Sequence, residues 1–133
     1  MRGALTLALA LTTLLALPVR PADATTTVPK SVCNIDWRAG TQQVKKLITC
    51  AADRWKVAGG PKKALAVAKC ESGFDPQAYA SGNAGVYQQA TKYWPKRAKT
   101  FGLPDRSVYN GRANIIVSIR MAHRWGWGAW SCA

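Results

Sequence analysis

Four cysteines, Cys33, Cys50, Cys70 and Cys132, constrain the fold of this 133-residue chain more than any other feature. An even number of cysteines in a small exported domain predicts two disulfides, and four cysteines allow three connectivities. Export is indicated by the N-terminus. Arg2 precedes an almost unbroken apolar run from Gly3 to Leu17, which Pro18, Arg20 and Pro21 end before Ala22-Asp23-Ala24, an A-x-A cleavage pattern. Residues 1–24 therefore read as a secretory signal peptide, too short in its apolar part for an ordinary membrane span. No cysteine directly follows it, as lipoprotein processing would need. The expectation is a secreted, extracellular or wall-located product without a membrane anchor after cleavage. It would start near Thr25 and be long enough for one small domain. The cysteine spacing holds no C-x-x-C, and His123 is the only histidine. That pattern predicts no structural metal and gives no sign of a cofactor.

The charge balance narrows the partners. The chain carries 19 Lys and Arg against six Asp and Glu; without Arg2, Arg20 and Asp23 the remainder is 17 against five, a net +12. Such a field draws polyanions and raises their encounter rate whatever the fold. No RNP, zinc-finger or helix-turn-helix signature accompanies the charge, so nucleic acid is not the expected partner. Anionic polymers of a bacterial envelope fit export better, and solubility alone is an equally good account of the charge. A monomer is expected.

Along the chain, residues 25–40 hold Thr, Pro and Gly with little periodicity and read as an N-terminal arm or linker stapled by Cys33; residues 41–133 read as the functional domain. From Thr41, Val44, Leu47, Ile48, Ala51, Ala52 and Trp55 share one helical face. Gly59-Gly60-Pro61 breaks that helix, and Pro61 suits the first turn of a second one, carrying Ala64, Leu65, Val67 and Ala68 and ending near Glu71. A short helix is predicted over Trp94–Phe101, and a long one from Arg112 to Arg124 with Ile115, Ile116, Ile119 and Ala122 as its core face. No strand alternation is convincing, so the fold class is mainly α within a small α+β domain, with room for a minor hairpin between Asp75 and Gly85.

The one glutamate of the chain, Glu71, stands where the second helix meets a turn, in Lys69-Cys70-Glu71-Ser72-Gly73-Phe74-Asp75-Pro76. A chain that uses Lys and Arg everywhere else gains little from one more surface acid. Beside a cysteine and an apolar helix face, Glu71 is expected to be partly buried, the setting in which carboxyls become proton donors near neutral pH.

Glu71-Ser72-Gly73-Phe74-Asp75-Pro76, then Ala78, Ser81-Gly82 and Ala84-Gly85-Val86-Tyr87-Gln88, resembles the signature of the lysozyme-like lytic transglycosylases. Val86-Tyr87 stand where Leu-Met or Leu-Phe is common. Cys70-Glu71-Ser72-Gly73 with Gly126-Trp127-Gly128-Ala129-Trp130-Ser131-Cys132 also resembles the catalytic domain of resuscitation-promoting factors. Together the likenesses reach from about Thr41 to Cys132. There are departures. The transglycosylase Tyr-Asn-Ala-Gly segment is missing, and Tyr109-Asn110-Gly111 matches it only loosely and elsewhere. The final cysteine follows Trp130 one residue sooner than in the resuscitation factors, and the turn after Gly73 differs.

The resemblance implies a lysozyme-like fold and cleavage of the MurNAc-GlcNAc bond of peptidoglycan, with Glu71 as general acid and then base. It also implies a Cys70–Cys132 bond and, with it, Cys33–Cys50. Gln88, matched to the family glutamine, offers an amide to sugar hydroxyls or N-acetyl groups. Tyr87 is either a groove wall or packed against the second helix, and Ser72 either orients Glu71 or makes the turn. Of Trp125, Trp127 and Trp130, which double as core elements, Trp127 is the choice for a sugar contact. The mature acids other than Glu71 are Asp36, Asp53, Asp75 and Asp105, and none has a strong claim as a second catalytic carboxylate. That favours lytic transglycosylation. Lysozyme-type hydrolysis, a non-catalytic cationic peptidoglycan-binding protein and an extracellular nucleic-acid binder are the alternatives.

Overall fold

The computed structural model describes residues 27–133; the expected signal peptide and its cleavage point lie outside the described residues. The elements in chain order are α1 (Thr41–Trp55), α2 (Gly60–Ser72), β1 (Tyr79–Ala80), β2 (Asn83–Ala84), β3 (Gln89–Ala90), α3 (Trp94–Thr100) and α4 (Gly111–Trp125), with 3-10 turns at Trp37–Ala39 and Thr91–Tyr93. The architecture is mainly helical with a small antiparallel sheet.

Each helix is bounded by the residues that its ends require. α1 buries Val44, Leu47, Ile48, Ala51 and Ala52 along one face and stops at Lys56, which takes a left-handed conformation and donates its backbone N–H to Ala52. Pro61 sits in the first turn of α2, where a missing N–H costs nothing. Gly73 ends α2 at φ 62°, donating to the Lys69 carbonyl. The Asn110 side chain caps α4 by accepting from the Ala113 N–H. α4 is buried on nearly every side, including Ile115, Ile116, Val117, Ile119 and the polar Asn114 and Ser118, so it forms the centre against which α1 and α3 pack.

The sheet order is β1-β2-β3, with Tyr79 opposite Ala84 and Ala84 opposite Gln89. The β1-β2 hairpin falls where the turn-rich stretch after Asp75 left room for one. β3 was not expected from the sequence: a two-residue strand is too short to show a period of two.

The N-terminal arm is docked along the body from Val28 onward. Val28 is buried and its N–H donates to Gly102, while Arg112 of α4 donates to the carbonyls of Pro29 and Val32. The Trp37 indole lies so close to Gly111 that a Cβ there would stand 2.7 Å from the ring. Disulfides join Cys33 to Cys50 and Cys70 to Cys132, the pairing that the resemblance implied. The first fastens the arm to α1. The second fastens the end of α2 to the C-terminal Trp-rich segment. Among the described residues no helix is long and apolar enough to cross a membrane, and the two disulfides fit an extracellular protein.

Candidate functional site

Glu71 is the penultimate residue of α2 and is half-buried. The chain then reverses through Gly73 and Phe74, both left-handed at φ 62° and 67°. A buried phenylalanine holds such a backbone only when its surroundings fix it, and the Phe74 ring is packed into the core, with the Lys45 ammonium 4.9 Å from its centre.

Ser72 links the two motif segments. Its hydroxyl donates to the Val86 carbonyl at 2.7 Å and accepts from the Asp75 N–H at 3.2 Å. It is thus both the turn residue and the clamp that brings the 84–88 loop beside Glu71. Asn114, fully buried on α4, holds the same loop from beneath: its oxygen accepts from the Tyr87 N–H at 2.9 Å, and its amide nitrogen donates to Ala84 and Val108.

Gln88 follows at φ 47°, a strained conformation for a residue with a side chain. Its amide nitrogen donates to the carbonyls of Ala78 and Gly85, so the side-chain oxygen is the group left to face a ligand. Glu71 and Gln88 line one cleft of about 150 Å³ with Asn83, Arg97, Trp130 and Ser131. No hydrogen-bond or ion-pair partner of the Glu71 carboxylate is present among the described residues. Beneath the cleft, buried Gln89 donates to Ser118 at 2.7 Å and accepts from Arg97 at 2.8 Å. Burial lowers the Arg97 pKa and Tyr93 opposes the shift; a guanidinium remains charged near neutral pH. The cleft therefore offers one carboxyl, one fixed cation and several amide groups.

The aromatic residues are placed differently from Glu71 and Gln88. Tyr87 is 0 % exposed, and its hydroxyl donates to the Ala64 carbonyl of α2 at 2.8 Å, so of its two readings packing is the one realised. Burial raises its pKa well above the ordinary tyrosine value. Trp127, 8 % exposed, donates its indole N–H to Ala58, and Trp130 donates to the Tyr87 carbonyl. The three rings form one cluster, with Trp127 and Trp130 centroids 5.2 Å apart. Their role is to hold the loop and the C-terminal segment; Trp127 presents little surface to a sugar, and Trp130, equally buried, is the one of the three that lines the cleft.

The other acids stand apart. Asp36 accepts from the Arg38 N–H, and Asp75 accepts from the Gln77 N–H within a turn that lines a different recess. Asp53 and Asp105 are exposed, and neither lines the Glu71 cleft. His123 is exposed, with Nδ1 3.4 Å from the Lys56 carbonyl oxygen. Among the described residues no three His, Cys, Asp or Glu cluster as metal ligands.

Sequence reasoning missed Asn83, Arg97 and Asn114. Arg97 looks like any surface cation of a basic chain, and Asn114 sits in a helix whose apolar pattern conceals it. Nothing local distinguishes Gln89, which is buried, from its neighbour Gln88.

Gly85 supplies a stability prediction. It lies at φ 81°, and an added Cβ would collide with the Asn114 amide and stand 2.8 Å from the Val108 oxygen. Gly85→Ala is expected to destabilise by about 2–3 kcal/mol from overpacking and backbone strain. Urea unfolding measures this, and an unchanged midpoint would show that the loop yields without cost.

No family model, curated protein or solved structure matches this chain.

Proposed function

We propose that the protein cuts peptidoglycan glycan strands at the MurNAc-GlcNAc bond by lytic transglycosylation. The observation that carries this reading is the joint placement of Glu71 and Gln88, from two separate motif segments, in one cleft that no other carboxyl among the described residues lines. The sequence resemblance to lytic transglycosylases and resuscitation-promoting factors supports it further.

Glu71 gives its proton to the glycosidic oxygen as that bond to the anomeric carbon breaks and oxocarbenium character develops. The carboxylate then takes the proton of the sugar's own 6-hydroxyl, whose oxygen bonds to the same carbon. No water is consumed and Glu71 ends protonated, ready for another cycle. Hydrolysis through a carboxylate pair needs a second acid about 5–9.5 Å away across the scissile bond. An intramolecular hydroxyl, already held near the reacting carbon, removes that need. Arg97 offers its charge to anionic groups of the strand, and the Gln88 oxygen accepts from a sugar hydroxyl or N-acetyl N–H.

Mass spectrometry of digested, purified sacculi tests the mechanism. The expected main products carry a 1,6-anhydro ring. Free reducing ends would mean hydrolysis and send the search for a second acid to Asp75 and Asp105. Binding without turnover would leave a cationic peptidoglycan-binding protein.

The basic surface makes a separate prediction. Binding to sacculi is expected to weaken steeply with salt, because ions screen exposed charges beyond about 8–10 Å. Strands stripped of their anionic groups should bind less tightly. Affinity that does not change between low and high ionic strength would show that the charge contributes nothing to capture.

A further inference from the structure

A recess of about 580 Å³ lies where the N-terminal arm docks beside the start of α4, and it shares no lining residue with the Glu71 cleft. Its volume is in the range of ordinary ligand sites, about 300–1,000 Å³. Lys30, Arg38, Arg106 and Arg112 all line it, and Asp36 is the one acid that does. Four cations less one carboxylate leave a net charge of +3 around a single hollow. Among the described residues none of these five groups has an ion-pair partner.

The fold holds this charge in place. Arg112 donates from Nη2 to the carbonyls of Pro29 and Val32 and from Nε to Val32, which leaves Nη1 unengaged among the described residues. The Arg38 guanidinium lies over the Trp37 ring, 4.2 Å from its centre. The backbone of Arg106 is fixed through its carbonyl, which accepts from the Trp94 indole at 2.7 Å. Burial lowers the Arg112 pKa and the charge of Arg106 lowers it further, so the two guanidiniums stand close enough to repel. An anion between them would relieve that repulsion. Solubility is served by scattered charge and gives no reason to gather like charges around one hollow.

We propose that this recess binds a phosphodiester chain, with Arg106 and Arg112 sharing one phosphate and Lys30 and Arg38 meeting the charge of its neighbours. The site stands independently of the reading of the Glu71 cleft. A single carboxylate would neutralise one of the three surplus charges, whereas a chain charged at every repeat neutralises them all. Three of the four cations are arginines, whose planar forks match phosphate oxygens. The exposed large apolar side chains, Tyr79, Tyr93 and Trp125, lie outside the recess, so none of them could anchor it in a bilayer. Trp37, the one aromatic ring that lines it, is already stacked by Arg38 and packed against Gly111, which makes it a poor platform for a nucleobase.

Titration of the protein with a short, soluble poly(glycerol phosphate) at fixed ionic strength tests this. Lys30 and Arg106 are exposed and their side chains make no hydrogen bond among the described residues, so the pair Lys30→Ala and Arg106→Ala should leave the fold intact. That double change is expected to weaken binding about tenfold or more, the usual scale for hydrogen bonds to charged groups. A charge-matched control, Lys62→Ala with Lys99→Ala, removes two exposed cations that do not line the recess and should change affinity far less. If the double variant fails to fold, Arg106→Gln alone is compared with Lys62→Gln. Glu71→Gln should bind the polymer as the parent does. Equal losses from the recess and control variants would overturn the proposal, because general charge would then account for the binding. Polyglutamate of equal charge bound as tightly would overturn the choice of phosphate, and inorganic phosphate bound as tightly would overturn the chain. Single-stranded oligonucleotide, or vesicles of phosphatidylglycerol, bound more tightly than the polymer through Arg106 would replace it with a nucleic acid or a membrane.

Discussion

Glu71→Gln is expected to slow release of soluble fragments from purified sacculi by about 10²- to 10⁴-fold, the usual contribution of a general acid. The amide keeps the shape of the side chain and, on the proposed mechanism, removes the proton destined for the leaving oxygen. It should cost the fold little. Glu71 is half-buried at a helix end, and its carboxylate has no partner among the described residues to be orphaned by the change. The paired measurement is therefore fragment release and the unfolding midpoint. A folded variant that digests at the parent rate would remove Glu71 from the chemistry and the cleft with it.

The second large effect belongs to the Cys70–Cys132 disulfide. Its partners are 62 residues apart, against 17 for Cys33–Cys50. In the chain-entropy model the longer loop is worth about 4 kcal/mol and the shorter about 3 kcal/mol. For a small domain that is a large part of the whole stability. Replacing Cys70 and Cys132 together by serine is expected to lower the denaturant midpoint more than the same change at Cys33 and Cys50. It should also reduce activity below the unfolding transition, because this bond holds the segment from which Trp130 and Ser131 border the cleft. Equal losses from the two pairs would mean that residual structure or native packing, rather than loop length, sets their worth.

The helices were legible because each announces itself locally. α1 has a clean 3.6-residue stripe; Pro61 and Gly73 mark the ends of α2 and Pro95 the start of α3. Glu71 and Gln88 could be singled out by their motif segments, and the structure brings those two together. What the sequence hid is long-range. Docking of the arm depends on Trp37 meeting Gly111 and on Arg112 reaching the carbonyls of Pro29 and Val32, and no local pattern encodes such contacts. The direction in which an aromatic faces is equally non-local. Tyr87 and Trp127 turn inward because carbonyls of Ala64 and Ala58 wait there for their polar atoms, while Trp125, in the same Trp-rich stretch, turns outward. Arg97 joins the cleft only because α3 lies across it.

The Asn114 amide has a kinetic meaning as well as a structural one. Three hydrogen bonds made by one buried side chain bind the first turn of α4 to Ala84, Tyr87 and Val108. Opening the 84–87 segment without opening α4 would strand those groups away from water, which is costly enough to forbid it in ordinary fluctuations. The loop and the central helix thus belong to a single cooperative unit. The wall that carries Gln88 is therefore an anvil: it moves only with the central helix, and any ligand entering the cleft meets a surface whose shape is set before it arrives.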